Sequence, residues 1–169
     1  MSKFSTRTLT SLALLTALEI ILSRFLSISA WNIKIGFSFL PVVIAAMLFG
    51  PLAAGLVAAL GDFIGALLFP IGAYFPGFTL TAFLTGLVFG LLLHKKQGWL
   101  QALLAVGINQ FILSLFLNTL WISILYDSPY LPLLATRLVQ CLILTVVQLL
   151  GIQAVSRLLQ RYGKLVVSA

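Results

Sequence analysis

From Ile35 to His94 the chain is apolar almost without interruption, carrying one carboxylate, Asp62, and no further charge beyond what His94 gains on protonation. A run of that kind belongs in lipid. A hydrocarbon core about 30 Å thick takes roughly 20 helical residues per crossing, and the Gly, Pro and basic punctuation divides the chain into six helices. The pattern predicts them over 6–28, 36–49, 51–69, 78–93, 99–126 and 130–160. The second is short for a full span and has Pro41 near its start. Gly50-Pro51 forms a tight turn, because Gly ends one helix and Pro suits the first turn of the next. Ser29 to Lys34, with Trp31 and Asn32, reads as a short polar-aromatic loop. Pro70 to Gly77, with two prolines, two glycines and two aromatics, reads as a larger one. Asp127-Ser128-Pro129 breaks the chain before the last helix.

Composition narrows the class. The 169 residues are 62% hydrophobic and 8% charged, against about 25% charged in a soluble domain. The fold expected is an all-α membrane protein, one multi-pass domain over residues 1–169 in the cell membrane, with no soluble domain of any size. The N-terminus has the outline of a signal peptide, but Glu19 and Arg24 inside its apolar stretch argue for a retained first helix. The net charge of +7 does not indicate nucleic-acid binding, since the basic residues sit mostly at helix ends, where they act as topology signals. With the N-terminus inside, the cytoplasmic side holds Lys3, Arg7, Lys95, Lys96, Arg157, Arg161 and Lys164. Only Arg24, Lys34 and Arg137 fall toward the outer side, so both termini are expected to be cytoplasmic.

Those three outer cations have no topological reason to be there. Asp62 lies on the same side, and a mid-helix carboxylate costs about 2.5–3.5 kcal/mol to insert. It is therefore expected to face protein or a polar cavity. Convergence of Arg24, Lys34, Arg137 and Asp62 would suit an anionic ligand with a donor-bearing polar head. The plainer reading is that the arginines snorkel to headgroups and Lys34 is solvated. Gln110, Ser114, Asn118 and Trp121 follow helical spacing along the fifth helix, and Arg137, Gln140 and Gln148 share a face of the sixth. Gln110 and Gln148 read as interhelical hydrogen-bonding groups. Asn118 and Trp121, at the outer end, are candidates for a ligand. Tyr74, Phe75 and Phe78 either stack on a planar ring or form an interfacial aromatic belt. Ala13-xxx-Ala17 and Gly61-xxx-Gly65 are small-residue spacings that by themselves indicate close packing, by default internal. No job is evident for Glu19.

Enzymatic signatures are missing. No G-x-x-x-x-G-K-[ST] phosphate-binding loop occurs, His94 sits at a lysine-flanked helix end, and Cys141 and the scattered carboxylates offer no metal-ligand set. No cofactor is expected.

The Ala13-xxx-Ala17 motif, Phe49-Gly50-Pro51, and six helices in this length resemble the substrate-binding S-components of energy-coupling factor (ECF) vitamin transporters. Ser23-Arg24-Phe25-Leu26-Ser27-Ile28, Lys34 through Pro41, and Gly61-Asp62 through Phe78 are similar to the folate-specific branch of that family. The resemblance implies an S-component bundle that binds folate and has no ATPase activity of its own. It implies partners as well: a transmembrane coupling subunit, contacted through Ala13 and Ala17, and two cytosolic ATPase subunits. Loops at Ser29–Gly36, Pro70–Gly77 and Asp127–Pro129 would gate an outward-facing pocket. Asp62 would accept the paired donors of a pterin, Arg24, Lys34 and Arg137 would meet polar or carboxylate groups, and Trp121, Tyr74 and Phe78 would sandwich rings. The charge sign argues against a cationic vitamin. Pantothenate or biotin, also anions, and a stand-alone proton-coupled carrier using Asp62 stand as the alternatives.

Overall fold

The computed structural model describes residues 5–30 and 33–167, and the side-chain surroundings of residues 29, 30, 33, 34 and 162–167 fall outside what it describes. Lys3, Trp31 and Asn32 therefore lie outside the described residues, as does the side chain of Lys164. The order is α1 (Thr6–Arg24), β1 (Ser27–Ala30), β2 (Ile33–Gly36), α2 (Phe39–Phe49), α3 (Pro51–Leu68), α4 (Pro76–Leu93), α5 (Trp99–Tyr126) and α6 (Tyr130–Val167). Within α5, Ile108–Asn118 has π-helical geometry. Among the described residues, five helices are long and apolar enough to cross a membrane. The remaining one, α2, has 11 residues, about half the thickness of a hydrocarbon core.

Punctuation set most of these boundaries as expected. Pro51 and Pro76 each begin a helix, where the missing N–H would have had no partner anyway. Gly50 ends α2 with φ at +89°, a conformation that favours glycine. The first helix departs from expectation. It stops at Arg24 rather than Ile28, and the segment taken for a loop is a two-stranded antiparallel hairpin pairing Ser27 with Gly36, Ile28 with Ile35, Ser29 with Lys34 and Ala30 with Ile33. The alternation Ser-Ile-Ser-Ala and Ile-Lys-Ile-Gly has the period of a strand. Gly36 admits the pairing closely, since a Cβ there would lie 2.7 Å from that of Ser27.

The bundle has two unlike halves. Around the end that holds the described parts of both termini, packing is dense and apolar: Leu12 and Leu15 of α1, Ala54 and Val57 of α3, Phe89 and Leu93 of α4, Ala105 and Val106 of α5 and Ile152 of α6. Helix α2 sits among them with Val43, Ala45 and Ala46 fully buried, as expected of a helix that is hydrophobic all round. Small residues bring the backbones together. A Cβ on Gly86 would stand 2.5 Å from the Ala54 carbonyl carbon, and one on Gly90 would overlap Pro51. Arg7, Lys95, Lys96, Arg157 and Arg161 are exposed at this end. In the other half the helices carry polar side chains inward and part around a cavity. The outer faces throughout are leucine, isoleucine, valine and phenylalanine, as lipid requires.

Gly86→Val should force α3 and α4 apart and destabilise the fold by about 1–3 kcal/mol, read as a lower midpoint of thermal unfolding in detergent. Gly107→Ala, with nothing within 4 Å of the added Cβ, should leave the midpoint unchanged or raise it.

Candidate functional site

Helices α1 and α3 meet in the open half through charge. Arg24 reaches over α3, its Nη2 donating to the main-chain oxygen of Asp62 at 3.2 Å and lying 3.6 Å from Asp62 Oδ1. Gly61 and Gly65 make this approach feasible. A Cβ at Gly65 would stand 2.7 Å from Arg24 Nε, and one at Gly61 would collide with the Glu19 carboxylate. The Gly61-xxx-Gly65 spacing thus marks a trough in α3 that admits two charged side chains of α1, a more specific use than apolar packing.

The far side of Asp62 is held by α4. Thr79 Oγ1 donates to Asp62 Oδ2 at 2.9 Å. Tyr74 Oη lies 3.2 Å from the same threonine oxygen, which has its proton committed to Asp62 and so accepts from the tyrosine. A carboxylate offers about four lone-pair sites. With Oδ1 beside Arg24 and Oδ2 bonded to Thr79, both oxygens retain accepting capacity, and the side chain is 25% exposed, toward the cavity.

That cavity has a volume of about 530 Å³, within the ~300–1,000 Å³ usual for small-molecule sites. Arg24, Asp62, Tyr74, Phe78, Asn118 and Arg137 all line it. The two arginines do not snorkel: the Arg24 side chain is 9% exposed and Arg137 is 5% exposed. Arg137 Nη2 donates to the main-chain oxygen of Ser114 at 3.4 Å, and Tyr130 Oη donates to that of Phe116 at 3.3 Å. Both acceptors belong to the π-helical stretch, a geometry often found at functional sites. The loop between α3 and α4 covers the cavity through Ile71, Gly72, Ala73 and Tyr74.

Not every expected residue reaches the cavity wall. Trp121 stands one layer behind, its Nε1 donating to Thr81 Oγ1 at 3.0 Å and its ring 5.4 Å from that of Phe75. The α-helical count that put it in line with Gln110 fails because the intervening π turns are wider, so eleven residues fall short of three turns. Lys34 is on β2 opposite Ser29, with its side chain outside the described residues. Ala13 and Ala17 are exposed on the outer face of α1, away from the cavity and from the internal packing that their spacing alone suggested.

Gln110 and Gln148, expected to link helices, line the cavity instead, and their Oε1 atoms are buried without a hydrogen-bond partner among the described residues. Glu19, left without a job, is buried on the same wall. Thr79 was missed altogether, since one of three threonines in an apolar helix gives no sequence signal of what its hydroxyl faces.

The arrangement matches known proteins. A family model described as "ECF transporter, substrate-specific component" matches residues 7–162. "Folate transporter FolT" of Clostridium novyi (strain NT) is 46% identical over 130 residues, 76% of each chain. "Folate transporter FolT" of Leuconostoc mesenteroides subsp. mesenteroides is 35% identical over 153 residues, 86% of this chain and 82% of its own. A solved structure described as "Crystal structure of FolT bound with folic acid" superposes with a TM-score of 0.84 at 32% identity, covering 89% of this chain and 93% of that one.

A double-mutant cycle tests the α1–α3 link. The destabilisations that Arg24→Met and Asp62→Asn each cause in the empty protein should sum to more than that of the double variant, with a coupling of about 0.5–3 kcal/mol in thermal unfolding. Strict additivity would mean that the two charges are held independently.

Proposed function

This chain belongs to the ECF transporter substrate-specific components, and from that premise we propose that it is the high-affinity folate-binding subunit of a cell-membrane vitamin transporter. One observation carries the substrate: a single cavity presents a braced carboxylate, Asp62, and two buried arginines within a ring-lined wall. Folate has complementary parts, namely a pterin with adjacent amino and ring N–H donors, an aromatic middle and a dianionic glutamate tail. The relatives named as folate transporters support the same substrate.

In this reading Asp62 accepts the paired pterin donors, held at the right angle by Arg24 and Thr79. Arg137 and Lys34 serve the polar and carboxylate groups, with a guanidinium able to grip a carboxylate through two parallel N–H bonds. Asn118 supplies a neutral contact, Tyr74 and Phe78 flank the rings, and Trp121 supports the wall from behind through Thr81. The family is one of transport components and not of enzymes. ATP hydrolysis therefore falls to two cytosolic partner subunits acting through a transmembrane coupling subunit, which docks on the exposed Ala13–Ala17 face of α1. The cationic end of the bundle faces the cytoplasm with both termini, by the positive-inside rule. The hairpin, the loop between α3 and α4, and Asp127–Pro129 ring the outward mouth.

Titrating the purified protein with folate should quench the fluorescence of its tryptophans saturably at submicromolar concentration, with pantothenate, biotin and thiamine as controls. Absence of binding by a folded sample would retire the folate assignment. Asp62→Asn should weaken folate binding by about 1.5–3 kcal/mol, the usual worth of a hydrogen bond to a charged group; an unaltered affinity would remove Asp62 from the site. Ala13→Trp or Ala17→Trp should abolish co-purification with the coupling subunit while leaving folate binding intact. Loss of binding as well would mean that these alanines support the fold.

A further inference from the structure

The packed end of the bundle carries charge of one sign. Lys95 and Lys96 follow α4, Arg157 and Arg161 lie one turn apart near the end of α6, and all four are exposed. The chain has three acidic residues, and none stands here: Glu19 and Asp62 line the cavity, and Asp127 closes the outer end of α5. Topology asks only that cations lie on one side of the membrane, in any arrangement. The fold gathers these. Gln97, next to the lysines, accepts through Oε1 a hydrogen bond from Ser156 Oγ at 3.3 Å, and Gln160 Nε2 donates to the same hydroxyl at 3.4 Å. Ser156 is 3% exposed, so the loop between α4 and α5 is pinned to α6 immediately beside Arg157.

Their depth suits a phosphate. From Tyr130 to Arg157, helix α6 rises about 40 Å, close to the ~40–45 Å that a bilayer spans with its headgroups. Trp99, two residues past Gln97, is exposed at the level where interfacial aromatics belong. Gly98 gives α5 no side-chain cap, so the first N–H groups of that helix add partial positive charge to the same corner. This flank is separate from the face that carries Ala13 and Ala17. Among the helices, α6 packs chiefly on α2 and α5, and α1 on α2 and α3. Arg7, on α1, is thus a cation of the same end on a different flank.

We propose that Lys95, Lys96, Arg157 and Arg161 form a binding site for the headgroup of an anionic phospholipid at the cytoplasmic surface of the membrane. Ammonium and guanidinium groups donate to phosphate oxygens, no carboxylate side chain competes for them, and basic positions at this depth attract anionic lipid. The acyl chains lie against the lipid-facing surface beside the site, where Leu100 and Leu158 are exposed. The site stands apart from both the folate cavity and the alanine face, so lipid, vitamin and coupling subunit are compatible on one molecule.

A lipid-quenching experiment tests this. The full chain with Trp31→Phe and Trp121→Phe keeps Trp99 as its reporter and is reconstituted into phosphatidylcholine nanodiscs containing a small fraction of brominated lipid. Brominated phosphatidylglycerol should quench Trp99 at about tenfold lower mole fraction than brominated phosphatidylcholine at low salt, and added salt should shrink that advantage. Replacing all four cations by Gln should bring the two lipids to parity, whereas Arg7→Gln should keep the original ratio. The pair Lys95→Gln and Lys96→Gln, confined to an exposed loop, should give an intermediate ratio and decides the matter if the fourfold variant does not fold. Equal quenching by both lipids before any of these changes would overturn the site. An unaltered ratio in the lysine pair and in the fourfold variant would overturn it by placing the attraction elsewhere. A loss on Arg7→Gln as large as that in the lysine pair would overturn it by reducing the effect to net charge. No step of the test uses folate, so failure of the folate assignment would leave its outcome unchanged.

Discussion

Asp62 and Arg24 occupy a lipid-embedded bundle only because each is met by protein. An isolated carboxylate at this depth would be driven to neutrality or to the headgroups. Here Arg24 lies along α3 and approaches both the main chain and the side chain of Asp62, while Thr79 of α4 takes the other oxygen. That contact ties α1, α3 and α4 together in the half of the bundle where apolar packing is lost. The glycines at 61 and 65 are its precondition, because any side chain there would displace the charged groups of α1. The open half can therefore hold a cavity without coming apart.

The packed half makes the complementary contribution. Alanine and glycine pull α3 and α4 to backbone contact at Gly86 and Gly90, and Arg24, Asp62 and Arg137 line the cavity beyond that zone. Packing density, rather than helix length, fixes where the cavity ends. Deep polar groups then meet a floor that cannot collapse onto them, since Phe89 and its neighbours are already fully enclosed.

Much of this was legible in the chain. Helix number and most boundaries followed from apolar length and from Pro and Gly, because those constraints are local. Asp62, Arg24 and Arg137 stood out because charge in lipid demands an explanation. The hairpin was missed where four-residue strands alternate too briefly to outweigh the helix before them. Trp121 was misplaced by a change in helical pitch that no side chain announces. Ala13 and Ala17 show the limit of spacing as evidence: the same small-xxx-small pattern marks an outward face in α1 and a trough for charged side chains in α3. Gln110 and Gln148 were read as links between helices and line the cavity instead, since a glutamine that faces a neighbouring helix and one that faces a cavity have the same spacing.

The run from Tyr74 through Thr79 to Asp62 has a consequence for how entry is controlled. The hydroxyl of Thr79 gives its proton to Asp62 and receives that of Tyr74, so the covering loop and the carboxylate share one oxygen atom. Any guest that competes for Asp62 Oδ2 changes what Thr79 can offer the tyrosine, and any movement of the tyrosine changes how Thr79 holds the carboxylate. Linkage of this kind is reciprocal: to whatever extent occupancy favours a closed mouth, a closed mouth lengthens the residence of what is inside.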